Sequence, residues 1–178
     1  LEYLQKYYVK FIADQVVVPS DHAKEKAINY GINNKNEPPV VCPLLLDIKS
    51  DVQKSKNRFL FIGRIHKAKS FSSILNILEI NNEIILEIIT TTDISSYMDD
   101  RLSNLIKRKR LVITSNRDIG EETIQNAIIN STAVFKLDTL MTQSGIVPLC
   151  FSLSTPVIAR NIIGFSQDIT HKKNGFLV

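Results

Sequence analysis

Between residues 58 and 178, six short apolar runs alternate with helix-like segments, and that alternation leaves few folds open to the chain. The runs are "RFLFIGRI" (58–65), "EIILEIIT" (83–90), "LVITS" (111–115), "AVFKL" (133–137), "PVIA" (156–159) and "GFLV" (175–178). They are short, flanked by turn signals, and apolar almost throughout rather than at every second position. Strands of that kind are buried on both faces, as parallel strands are when helices cover each side of the sheet. The segments between them carry helical spacing. In "SFSSILNILEI" (70–80), for example, Phe71, Ile74, Leu75 and Leu78 share one face. "SYMDDRLSNLIKRKR", "GEETIQNAIINS" and the stretch after Ser144 supply the other helices. With right-handed crossovers the expected fold is α/β: a Rossmann-like, doubly wound parallel sheet with helices on both faces.

Ahead of this array, "QVVVPS" (15–20) reads as a strand and "DHAKEKAINYGI" (21–32) as a helix, with Ser20 placed to cap its first turn. "NNKNEPP" (33–39) follows and ends in two prolines, which stop both helix and ladder. The expected division is therefore residues 1–36 as the tail of a preceding domain with its linker, and 37–178 as the Rossmann-like domain. The chain begins without methionine and closes on the strand-like "NGFLV", so it reads as a piece of a longer protein.

Composition narrows the chemistry. The 44% hydrophobic content supports a true core, and the net charge of +4 suits an anionic ligand or an acidic membrane surface. Cys42 and Cys150 lie in apolar runs without CxxC spacing and read as buried free thiols in a reducing compartment. The longest apolar run, "VVCPLLL" (40–46), is far short of the roughly 20 residues that span a bilayer. His22, His66 and His171 have no partner at ligand spacing, and "DD" (99–100) is expected inside a helix, so no metal site is expected. "IKRKR" (106–110) ends a helix, where the dipole favours cations, and no aromatic platform accompanies it; nucleic acid is not an expected partner. No G-x-G-x-x-G follows any strand, which argues against a dinucleotide-dependent dehydrogenase.

Ligands of such sheets lie outside the carboxyl ends of the strands. After the first run, Gly63 permits a close turn, and Arg64 and Lys69 can hold a diphosphate, one as a planar fork and the other as a point charge. As solvated loop charges they would look the same. After "AVFKL", Ser144 and Gly145 precede an apolar helix whose first N–H groups favour an anion. A capped core helix is the equal alternative.

Four stretches, in order and spacing, resemble the C-terminal, donor-binding domain of GT-B glycosyltransferases, specifically glycosyltransferase family 4. "ADQVVVPSDHAKEKAINYGI" is similar to the last unit of the family's acceptor domain, and "PPVVCPLLLD" to its crossover. "FLFIGRIHKAKSFSSIL" resembles the strand, Gly-Arg and Lys pattern. "TQSGIVPLCFSLSTPVIARNIIGFSQDITHKKNGFLV" resembles the family's strongest signature, a glycine and helix, then "PVIA", a glycine turn and "nGfLV".

The resemblance implies a retaining transferase that moves a sugar from a nucleotide-diphosphate sugar to a saccharide or lipid-linked acceptor, as in cell-surface polysaccharide synthesis. It implies no cofactor beyond the donor, no metal, and a cytoplasmic protein with peripheral contact at the inner face of the membrane. Arg64 and Lys69 would contact the diphosphate and stabilise its developing charge. The backbone of Ser144, Gly145, Ile146 and Val147 would approach the phosphates and sugar, and Asn116 and Arg117 the base. Where the family usually carries two glutamates, for the sugar and the ribose, this chain has Thr142 and Cys150. "TTTD" (90–93) replaces a glycine-rich turn, and Gln167 stands for a further acid. These departures motivate an alternative, a degenerate transferase-like domain serving as a scaffold or interaction module. A third reading is an epimerase of the same overall shape.

Overall fold

The computed structural model describes residues 16–18, 21–32, 39–41, 55–65, 71–139 and 144–178. Two elements of strand open it. β1 (Val17–Val18) and β2 (Val40–Val41) form a parallel pair, with α1 (Asp21–Asn29) between them in sequence. β2 follows the expected domain boundary at 36/37, and it pairs back across that boundary to β1. α1 stops two residues before Gly31, whose φ of 70° is the left-handed geometry of a helix C-terminus. There Ile32 N–H donates to the Ala27 carbonyl at 2.8 Å, closing the Schellman pattern. Ser20, the expected cap, lies outside the described residues.

The six apolar runs become β3 (Arg58–Ile62), β4 (Ile85–Thr90), β5 (Leu111–Ser115), β6 (Ala133–Lys136), β7 (Val157–Ala159) and β8 (Gly175–Leu177). Between them lie α2 (Phe71–Ile80), α3 (Asp100–Lys107), α4 (Glu121–Ile129), α5 (Ile146–Ser152) and α6 (Ile163–Ser166). All pairings are parallel, and the sheet order is β5-β4-β3-β6-β7-β8. Counted from β3, that is the 3-2-1-4-5-6 order of dinucleotide-binding folds, with the reversal of direction between β3 and β6.

The strands are apolar on both faces because each face has its own core. Leu60, Ile62, Val134 and Val157 point one way, against Ile128 of α4, Val147 of α5 and Phe165 of α6. Phe61, Leu86, Ile88 and Phe135 point the other way, against Ile74 and Leu78 of α2 and Leu105 of α3. The doubly wound, two-faced sheet inferred from the run pattern is thus the observed architecture.

Three local expectations are corrected. Asp99 is not inside a helix: it is the N-cap of α3, and its carboxylate accepts from Leu102 N–H at 2.8 Å. A short side chain that satisfies an orphan donor is worth more at that position than one turn later. The residues before it form a separate 3₁₀ turn, Ser95–Tyr97. Second, "NIIGFSQ", read as a glycine turn, contains α6: Ser166 N–H donates to the Ile162 carbonyl at 2.9 Å across Gly164, and Phe165 drops into the core. Third, the "IKRKR" run is not uniformly solvated. Arg110 reaches back to the end of α2 and donates to the carbonyls of Leu78 at 2.9 Å, Asn81, and Ile84 at 2.5 Å. It satisfies carbonyls that a helix terminus leaves without intrahelical donors.

Candidate site at the switch point

In folds of this order ligands lie in a crevice beyond the carboxyl ends of the strands that flank the reversal, here β3 and β6, and several expected site residues follow those strand ends. β3 ends at Ile62 because Gly63 takes φ 126°, a conformation that L side chains rarely adopt. Gly63 still donates to the Ile89 carbonyl at 3.0 Å, so the chain leaves the ladder only after that bond. Arg64 then projects as an exposed cation at the mouth of the sheet. Lys69 and Thr142 lie outside the described residues. Across the switch, Ser144 is buried, Gly145 is exposed, and Ile146 opens α5. Gly145 occupies the cap position without a side-chain cap bond, and Val147 N–H is taken by the Ser144 carbonyl at 3.2 Å. Val147 and Cys150 both sit at 0% exposure on the face of α5 turned toward the sheet. Cys150 is buried in that core and forms no disulfide. Asn116 and Arg117 are exposed at the end of β5, two strands from β3 and hence roughly 10 Å along the sheet edge.

Two features of this edge went unread in the sequence. The first is the "TTTD" segment. Thr92 Oγ1 accepts from Ile65 N–H at 2.9 Å, its carbonyl accepts from Ser115 Oγ at 2.7 Å, and its own N–H donates to Thr90 Oγ1 at 3.0 Å. The Tyr97 hydroxyl adds a 3.3 Å bond to the Ile65 carbonyl. The loops after β3, β4 and β5 are therefore tied together by hydroxyl groups, and the residue after Arg64 is held by one of them. Beyond it, Asp93 accepts from Ser95 Oγ and from Ser95 N–H, and these bonds hold its carboxyl below the ordinary carboxylate range.

The second is a buried ion pair. Lys136, the last residue of β6, lies 3.2 Å from Asp138, and both side chains are only 5% exposed. By strand alternation Lys136 shares the face of Val134, and it is paired in register with Ala159. The pair therefore sits on the α5 side of the switch point. Its signal was present in the sequence: a cation inside an otherwise apolar run with an acid two positions later. Among the described residues no group of three or more His, Cys, Asp or Glu side chains is arranged to hold a metal ion. No helix among them is long and apolar enough to cross a membrane.

Neither a family model nor a curated protein matches the sequence. Solved structures do match in fold. The pneumococcal O-GlcNAc transferase GtfA, in complex with UDP and GlcNAc, superposes with a TM-score of 0.71 at 12% identity over 93% of this chain and 34% of its own. HepE from Anabaena, in complex with UDP, gives 0.69 at 16% over 93% of this chain and 50% of its own. Sucrose-phosphate synthase from Thermosynechococcus elongatus gives 0.70 at 16% over 99% of this chain and 48% of its own. These neighbours are GT-B glycosyltransferases, and the chain spans between a third and a half of their length. At such identities the likeness is one of fold.

Proposed function

We propose that this chain is the donor-binding half of a retaining glycosyltransferase of family 4. The sugar of a nucleotide-diphosphate donor passes to a saccharide or lipid-linked acceptor held by the other half of the protein, in cell-surface polysaccharide synthesis. The observation that carries the reading is the switch point itself. A left-handed Gly63 and an exposed Arg64 follow β3, and α5 follows its neighbour β6, in a sheet whose fold neighbours include UDP complexes.

In this reading Arg64 and Lys69 contact the diphosphate and offset the negative charge that grows on it as the glycosidic bond breaks. The work falls to fixed cations and backbone N–H groups, without a metal. The backbone of 144–147 lies against the phosphates and sugar, and Asn116 and Arg117 against the base. Thr142 offers one hydroxyl where the family has a carboxylate. Cys150, on the buried face of α5, supplies no carboxylate for a ribose diol, so ribose recognition is weak in this reading.

Calorimetry with UDP, GDP and ADP tests the proposal. At least one should bind in the micromolar to millimolar range, on the order of −4 to −8 kcal/mol, and Arg64→Ala with Lys69→Ala should abolish that binding. No binding by any of the three would overturn it. The buried Cys150 also favours a second reading, a non-catalytic scaffold that retains the fold. Turnover of any sugar nucleotide by the whole protein would rule that reading out.

A further inference from the structure

A parallel sheet sorts its loops onto two edges, and here it also sorts charge. Every loop that precedes a strand opens on the edge opposite the candidate site. In and beside those loops stand Lys56, Lys107, Arg108, Lys109, Lys172 and Lys173, all exposed. Among the described residues none of the six is ion-paired. Among the described residues the acids in and beside the same loops are the exposed Glu83, the half-buried Asp168 and, at the end of α2, the exposed Glu79, which is ion-paired with Arg101. On the site edge, by contrast, Asp93, Asp99, Asp118 and Asp138 accompany Arg64, Arg117 and Arg160. The basic edge also carries exposed aliphatic side chains. Ile80 ends α2 at 87% exposure, and Ile106 precedes Lys107 at 38%.

We propose that this amino-terminal edge of the sheet is a docking surface for an anionic lipid bilayer. Six flexible cations spread along one edge match a diffuse negative surface better than a single bound anion. Ile80 and Ile106 among them decide between the two large polyanions. An aliphatic side chain gains by entering the acyl boundary of a bilayer, and gains nothing against a phosphate backbone in water. The inference does not depend on the donor reading. It turns the switch-point edge away from the bilayer, by the height of a strand, roughly 17 Å.

The test is co-sedimentation of the chain with vesicles of phosphatidylcholine containing roughly one-third phosphatidylglycerol, against phosphatidylcholine alone. Binding is expected to the first only, and to fall as salt rises. The triple variant Lys107→Gln, Arg108→Gln, Lys173→Gln should bind on the order of a hundredfold more weakly, about fivefold per cation, with an unchanged melting temperature. Ile80→Ser should weaken vesicle binding several-fold. No binding to the anionic vesicles, or equal binding to neutral ones, would overturn the proposal. So would equally tight binding to duplex DNA with no effect of Ile80→Ser, which would assign the edge to nucleic acid.

Discussion

At the scale of residues, the charged groups divide by what they cost. Lys136 and Asp138 are nearly inaccessible, and removing either would leave the other's charge buried without its 3.2 Å ion-pair partner. Lys136→Met is therefore expected to destabilise the fold by about 3–5 kcal/mol, read by chemical denaturation. Adding Asp138→Leu should recover most of the loss, because an apolar pair replaces a buried ionic one at little cost. A single-variant loss under 1 kcal/mol would contradict this. Asp168 behaves oppositely, since burial raises its carboxyl above the ordinary 3.8. At neutral pH the ionised group opposes folding. As pH falls through its raised folded value, the native state takes up the proton first and gains stability. The gain is complete below 3.8, where the unfolded chain is protonated too. Asp168→Asn should accordingly stabilise the protein at pH 7 and match the parent below that value, in melting curves taken across the range. A variant less stable at pH 7 would show that the carboxylate has a favourable role.

At the scale of elements, Thr92 ties together loops that no strand pairing joins. Its hydroxyl and carbonyl join the loops after β3 and β5. Thr92→Val keeps the shape and removes the acceptor for Ile65 N–H. If the donor reading holds, nucleotide affinity should fall about tenfold, or 1.4 kcal/mol, with the melting temperature little changed. Unchanged affinity would mean that this tie does not position Arg64. The elements also explain what could be read beforehand. The six strands were legible because most of their residues are apolar and buried or half-buried, the central strands on both faces, so a solid apolar run had one economical meaning. Only the edge strands β5 and β8 expose an apolar side chain, Val112 and Phe176. α6 was not, since Gly164 resembles a turn until Ile162 before it is seen packed against the core and Phe165 after it within the core. "TTTD" was visible only as a lost glycine turn. The bonds that replaced it join residues from three separate loops, and no spacing in the chain announces them. The Lys136–Asp138 pair was within reach, as a cation and an acid two apart at a strand end.

At the scale of the whole molecule, sequence order and spacing led to the observed architecture, a six-stranded parallel sheet with helices on both faces. Gly63 and Arg64 follow β3, and Ser144 follows its neighbour β6, an adjacency that the alternating pattern implies through the doubly wound fold. The face of α5 was harder to read. A helix of apolar residues gives little to separate the side turned to the core from the side turned to the crevice, and Cys150 proved to belong to the first.

The adjacency of β3 and β6 also bears on how the molecule assembles. The β3–α2–β4–α3–β5 half pairs each strand with its successor in the chain. β6 has to return past all of it to set Phe59 beside Ala133. That closure is the most distant strand pairing in the large sheet, and distant parallel pairings are slow to form. The central seam is thus the join between a half that can condense from local contacts and a half that is added to it. A molecule lying in the crevice above would span that join, and would hold together the two parts of the chain that meet last.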